Sequence, residues 1–217
     1  MRQIVFASLW IGFSLYAFLG APQSDQDSTL ALLTDLVNGH FSALNPLLVA
    51  EFNLMGVLPL VYCCFLFADG RERKLPAWIF AAGMMGVGGF ALLPYLVFRG
   101  QRTHADGEPT AFLRFWDSRW VAAILLAIGA GLMAYGGWQG DWDGFLKLWQ
   151  SQQFVHVMTL DYLLLCALLP VMVYDDLPRR DRSVGGWFWA STCLPFFGPL
   201  LYLCLRPSLG ASATPSS

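Results

Sequence analysis

Two stretches set ionisable side chains inside otherwise apolar sequence. "NPLLVAEFN", residues 45–53, carries Glu51 and Asn53, and "FVHVMTLDY", residues 154–162, carries His156, Thr159 and Asp161. Charge in hydrocarbon is costly, so such residues are candidates for function. Three chemistries suit them. Glu51, Asn53, His156 and Asp161 can hydrogen-bond between helices, a carboxylate in the first turns also suiting the helix dipole. The same four can line a substrate or proton site. Alternatively His156, or His40 in the first loop, can ligate a pigment or cofactor. Metal binding is not indicated: His156 and Asp161 are five apart and share no helical face, and HExxH is absent. His104 in "RTHADGEP" reads as solvated. There is no GxSxG and no nucleophile–base pair, and "GMMGVGG" lies in an apolar run where it cannot cradle a solvated phosphate. The chain reads as non-enzymatic.

The elements that must position these residues follow from composition. Of 217 residues, 56% are hydrophobic and 13% charged, against about 25% charged in a soluble domain. Mean hydropathy is +0.52. A water-soluble core of this size could not bury so much apolar surface, so a lipid bilayer must be the partner solvent. A net charge of −2 argues against nucleic acid. The five cysteines lie in apolar runs without a C-x-x-C and read as small hydrophobes.

Six segments are long enough to cross a ~30 Å hydrocarbon layer as helices: Ile4–Ala21, Pro46–Ala68, Pro76–Phe98, Trp120–Trp138, Val155–Tyr174 and Trp187–Leu205. Tryptophan and tyrosine mark many of their ends, as interfacial belts do. The first resembles a signal peptide, but proline after the would-be site at Ala21 disfavours cleavage and the span is expected to be retained. Two loops carry short amphipathic helices: Leu30, Leu33 and Val37 share a face in one, and Phe145, Leu148 and Trp149 in the other. Small residues Ala82 and Gly86, and Ala123, Ala127 and Gly131, form stripes for close packing within the chain or across a homodimer. Pro59, Pro94, Pro170, Pro195 and Pro199 are expected to kink or end helices.

The halves run in parallel. "YLVFRG" from Tyr95 matches "YLCLRP" from Tyr202, and "DGRERK" matches "DDLPRRDR". The fold class read here is therefore an all-α integral membrane protein of six spans in a 3+3 internal repeat, with two interfacial helices. Residues 1–99 form the first half, 100–118 a hydrophilic connection, 119–206 the second half and 207–217 a disordered tail. Orientation strains this reading: six spans put six Lys/Arg on one side and seven on the other, where a bias is the rule. Either three-span halves are inverted copies, or a segment does not cross.

The stretches "FNLMGVLPLVY", "KLPAWIF" and "GGFALLPYLVFR", with "FVHVMTLDYLLL", "DDLPRR" and "GPLLYLCLRP", resemble uncharacterised membrane proteins of cyanobacteria and chloroplasts grouped as DUF2834-like. The resemblance runs from about Ser42 to Pro207, apart from Gly100–Asp117, and carries no catalytic motif. It implies a thylakoid or cytoplasmic membrane of a phototroph, and a role as accessory or assembly subunit beside a photosynthetic complex. Chlorophyll or carotenoid would be the pigment such a location supplies. The alternative is a small inverted-repeat transporter with its site at the repeat interface, lined by Glu51, Asn53, His156 and Asp161.

Overall fold

The computed structural model describes residues 1–71, 73, 75–100, 108–183 and 185–209. His104 and its expected solvation, Glu72 and Lys74 of the charged turn, Arg102, and the tail beyond Leu209 lie outside the described residues. Among the described residues every regular element is a helix.

Four helices are long and apolar enough to cross a membrane. The first, α1 (Arg2–Leu15), runs on through a π-turn at Tyr16–Gly20. A short helix, α2 (Gln26–Asn38), is N-capped by Asp25 and ended by Gly39 at φ +76°. It leads to α3 (Pro46–Arg71), whose start is set by Pro46 and by Asn45, which accepts from Leu47 N–H at 3.0 Å. Two half-length helices follow, α4 (Ala77–Val87) and α5 (Gly89–Phe98), then the six-residue α6 (Ala111–Trp116). The second half opens with α7 (Arg119–Gln139), capped by Ser118, and the amphipathic α8 (Trp142–Ser151), capped by Asp141. It continues with α9 (Gln153–Asp176) and ends in two more half-length helices, α10 (Gly186–Cys193) and α11 (Phe197–Leu205). Pro59, Pro94 and Pro170 sit within continuous helices, and Pro199 in the first turn of α11.

The six-crossing expectation is corrected at Pro76–Phe98 and Trp187–Leu205. Each segment folds back on itself. Gly88, at φ +50° and ψ −123°, adopts a backbone that breaks the helix and that L side chains rarely accept. In the second half Leu194 precedes Pro195, which disfavours the helical region for it. The 11 residues of α4 reach about 16 Å, half of a hydrocarbon layer. Its first residue, Ala77, lies against Gly70 in the last turn of α3, and α5 ends at Arg99, which binds Asp69 in that same turn. Phe80 and Tyr95 pack ring to ring at 5.4 Å across the pair. The second pair repeats this: Phe188 of α10 packs on Tyr174 at the end of α9, and Arg206 beyond α11 binds Asp176. Both pairs are hairpins that enter and leave at one end of the molecule.

That end is a lattice of buried charge. Asp69 accepts from Arg73, Tyr95 and Arg99, which stand 4, 26 and 30 residues further on. Asp176 accepts from Arg180, Tyr202 and Arg206, at the same 4, 26 and 30. Arg179 bonds Asp69 and lies 3.8 Å from Asp176, while Arg99 joins Asp69 to Asp175. Arg2 reaches Asp175 with both terminal nitrogens, at 2.9 and 3.1 Å, so α1 also starts at this end. Asp117 pairs with Arg180 at 2.5 Å and Arg206 at 3.0 Å, and accepts from Leu209 N–H at 2.7 Å. The chain is therefore held through Leu209. Because Arg179 and Arg99 tie the ends of α3 and α9 together, those helices run the same way. The halves are not inverted copies. Among the described lysines and arginines, Lys147 on α8 alone lies at the opposite end.

The core is built on α3 and α9, where Tyr62 donates to Leu165 O at 2.6 Å. Some 67% of the central stretch of α3 is buried, against 11% of α1 and 22% of α7, which lie outside it. At the far end, α2 and α8 pack on the first turns of α3 and α9. On α2 the inward residues are Leu32 and Leu36, while Leu30 and Val37 of the expected apolar face point away from the protein. On α7 the packing face is Ala122, Gly129 and Gly136, the last against Ala50 of α3. The expected stripe through Ala127 and Gly131 lies on the exposed side.

Breaking one partner of a buried ion pair costs about 3–5 kcal/mol, since it strands the other charges. Asp69→Asn should therefore lower the thermal midpoint in detergent sharply. Glu108→Gln, which removes the exposed Arg114–Glu108 pair, should change stability by about 1 kcal/mol or less. Thermal unfolding of the two variants side by side checks this.

Candidate functional site

The tip of the first hairpin meets α9 at Asp161. Gly89 N–H, the first amide of α5, points at the Asp161 carboxylate, 2.9 Å from Oδ1 and 3.1 Å from Oδ2. Helices usually take such a cap from the residue just before them. Here Gly88 has no side chain to offer, and a residue 72 positions away supplies the acceptor. The site lies about 12 Å along α9 from its first residue. Asp161 is 4% exposed. A Cβ on Gly88 would collide with its carboxylate and approach the Met55 methyl to 3.2 Å.

Beside this contact lies a cavity of about 390 Å³. Phe18 of the π-turn, Phe90 of α5, Phe154 and Met158 of α9 and Met55 of α3 supply most of its wall, with Asp161, Gln153 and Thr29 as the polar groups. A smaller space of about 240 Å³ adjoins it, bordered by Asn53 and Met85. The second hairpin tip differs: Phe196 there presses on Gly129 of α7, and among the described residues no carboxylate meets it.

The remaining predicted site residues fall on two other levels. Glu51, 9% exposed, has Thr159 Oγ1 at 3.1 Å, and that hydroxyl also reaches Val155 O at 2.9 Å. Asn53 spends its amide on Val49 O, one turn back in its own helix, at 2.8 Å. It does not reach Asp161, and neither Glu51 nor Thr159 does. His156 is nearest the far end. Its Nδ1 lies 2.9 Å from Trp149 O, a pure acceptor, so Nδ1 must carry the proton. Its Nε2 then accepts from Tyr16 Oη–H at 2.9 Å, and the ring stacks on Trp149 at 4.3 Å. Both ring nitrogens are hydrogen-bonded in this arrangement. His40 is exposed beside Asp35, 3.3 Å away, well removed from the cavity. Among the described residues no three His, Cys, Asp or Glu side chains gather to hold a metal ion.

Sequence reasoning missed Gly88 and Gly89. Their signal was present in "GVGG", a break of paired glycines centred in an apolar run. It also missed Tyr16 and Trp149, which orient His156 and carry no pattern of their own. Compared with protein-family models, curated proteins and solved structures, the chain finds no match. Fold and site thus define its class by themselves: a helical protein with four helices fit to cross a membrane and a buried carboxylate at a hairpin tip.

Gly88→Ala should destabilise the protein strongly, because the residue has positive φ and its Cβ enters the Asp161 carboxylate. Gly86→Ala, where nothing lies within 4 Å, should be neutral or slightly stabilising. Asp161→Leu should cost about 1–3 kcal/mol by stranding the buried Gly89 amide, whereas Asp161→Asn retains an acceptor and most of the stability. Thermal midpoints of the four variants in one detergent would order them.

Proposed function

We propose that the chain is an integral membrane carrier that crosses the bilayer four times and holds its solute in the cavity at the first hairpin tip. The observation that carries this reading is the Asp161 carboxylate resting on a helix-breaking tip, next to a cavity large enough for a small organic solute. Interrupted helices with ends directed at a buried polar group are how many carriers form a site at membrane depth. The hairpins are rooted at one end only, so their tips are the parts that can move.

The arginine-rich end faces the cytoplasm in this proposal, with the N-terminus, both hairpin roots and α6. The sequence puzzle of six charges against seven then dissolves, because two segments turn back and bring the second half's arginines to the same side as the first half's. The matching 4, 26 and 30 residue spacings support an internal repeat whose axis lies along the membrane normal, each half being two crossings and one hairpin.

A second reading draws on the little-buried outer faces of α1 and α7. These suit lipid, and they equally suit docking as an accessory subunit. Association with a photosynthetic complex rests on the sequence resemblance alone. Migration with pigment complexes in mild detergent would favour this second reading.

The carrier is tested by labelling with an impermeant maleimide in sealed vesicles, using single cysteines in a cysteine-free background. Ser183→Cys should react only from the side of the N-terminus and Lys147→Cys only from the other. Val87→Cys, at the hairpin tip, should react from both sides as the site alternates. Reaction of Val87→Cys from one side alone would overturn the carrier.

A further inference from the structure

We infer that the cavity beside Asp161 takes a lipophilic organic cation, with the carboxylate as its counter-ion; this rests on the carrier reading for its role in transport but not for binding. Every other buried aspartate in the structure is paired. Asp69, Asp117, Asp175 and Asp176 each contact at least two arginines. Among the described residues Asp161 alone of the buried aspartates has no cation, and its one donor is a backbone amide. An ionised carboxylate offers about four acceptor positions. A single N–H leaves most of them unfilled in a place that water reaches poorly, and a buried charge is costly unless paired.

The walls state what kind of cation would complete the pair. Phe18, Phe90 and Phe154 bring three aromatic rings to the cavity, and Met55 and Met158 add soft, adaptable surface. Aromatic faces attract ammonium groups, the more so when water is excluded, and quaternary ammonium recognition uses this arrangement. A hydrated inorganic ion would find too few oxygens to replace its water. An anion would meet the Asp161 charge. A ligand with an apolar body and one cationic head satisfies both the rings and the carboxylate.

The approach to the cavity has the matching sign. Gln153 and Phe154 place it in the half of the molecule where α2 and α8 and their caps carry Asp25, Asp27, Asp35, Asp141 and Asp143 against Lys147. Such an excess of negative charge attracts cations to this end. The arginine lattice at the other end would repel them.

The test uses an isosteric pair, phenyltrimethylammonium and neutral tert-butylbenzene, titrated calorimetrically into the full chain in detergent. The wild type should bind the cation at least ten-fold more tightly than the neutral analogue. Asp161→Asn, which keeps an acceptor for Gly89 and hence the fold, should lose that preference while still binding tert-butylbenzene. Glu51→Gln, away from the cavity, should retain it. Equal binding of the two compounds by the wild type, or a cation preference that survives in Asp161→Asn, would overturn the inference. Because no transport is measured, a positive result with one-sided labelling of Val87→Cys would leave a cation-binding site and remove the carrier. The opposite pair of results would leave a carrier of another solute.

Discussion

The aspartate–arginine lattice at one end of the molecule determines where everything else can lie. Asp69 and Asp176 close the last turns of α3 and α9, and each gathers a tyrosine and an arginine from the returning helix of its own hairpin. Burying this many charges is tolerable only because each carboxylate has several donors and the geometry is shared across both halves. Arg179 and Arg99 then bind the two sets to one another. A hairpin so anchored at both feet returns to the end it started from, and its tip stops part-way along the molecule. The folded-back segments, the parallel run of α3 and α9, and the position of the Gly88–Asp161 contact all follow from that constraint.

The contrast between the buried aspartates of the lattice and Asp161 is the functional clue. At the lattice, negative charge is matched by arginine and serves to hold the fold. At the hairpin tip, a lone carboxylate rests on one amide beside open space. Charge paired with charge holds the frame, whereas a carboxylate without a cation can still take one. The first hairpin therefore joins a fixed root to a tip whose environment a ligand could change. The second hairpin has an apolar tip instead, with Phe196 packed on Gly129. Two halves with the same frame have different chemistry where it counts.

Much of the frame was legible in the residues. Apolar length located the four helices fit to cross a membrane, and "YLVFR" against "YLCLR" marked the tyrosines and arginines that bind Asp69 and Asp176. Asp161 stood out because a carboxylate in an apolar helix needs a reason. Two things were hidden. A run such as Pro76–Phe98 has the same length and hydropathy whether it crosses or turns back, since both forms bury it in hydrocarbon. Only Gly88 and the evenly divided arginines pointed to a turn, and the arginines looked like noise until the hairpins brought them to one end. The partner of Asp161 was hidden for a different reason: it is a backbone amide, and every residue but proline has one. Sequence suggests which side chains need a partner, not that a broken helix will present its first N–H.

The central claim is that the third apolar segment of each half turns back. Pulsed electron resonance between spin labels at Trp78→Cys and Phe98→Cys tests it most directly, both side chains being well exposed, at 65% and 62%. Packed antiparallel helices lie about 8–10 Å apart, so the hairpin predicts a separation within roughly 20 Å once label arms are included. A segment crossing the bilayer would put the labels about 30 Å apart, and that longer distance would contradict the hairpin and the orientation built on it.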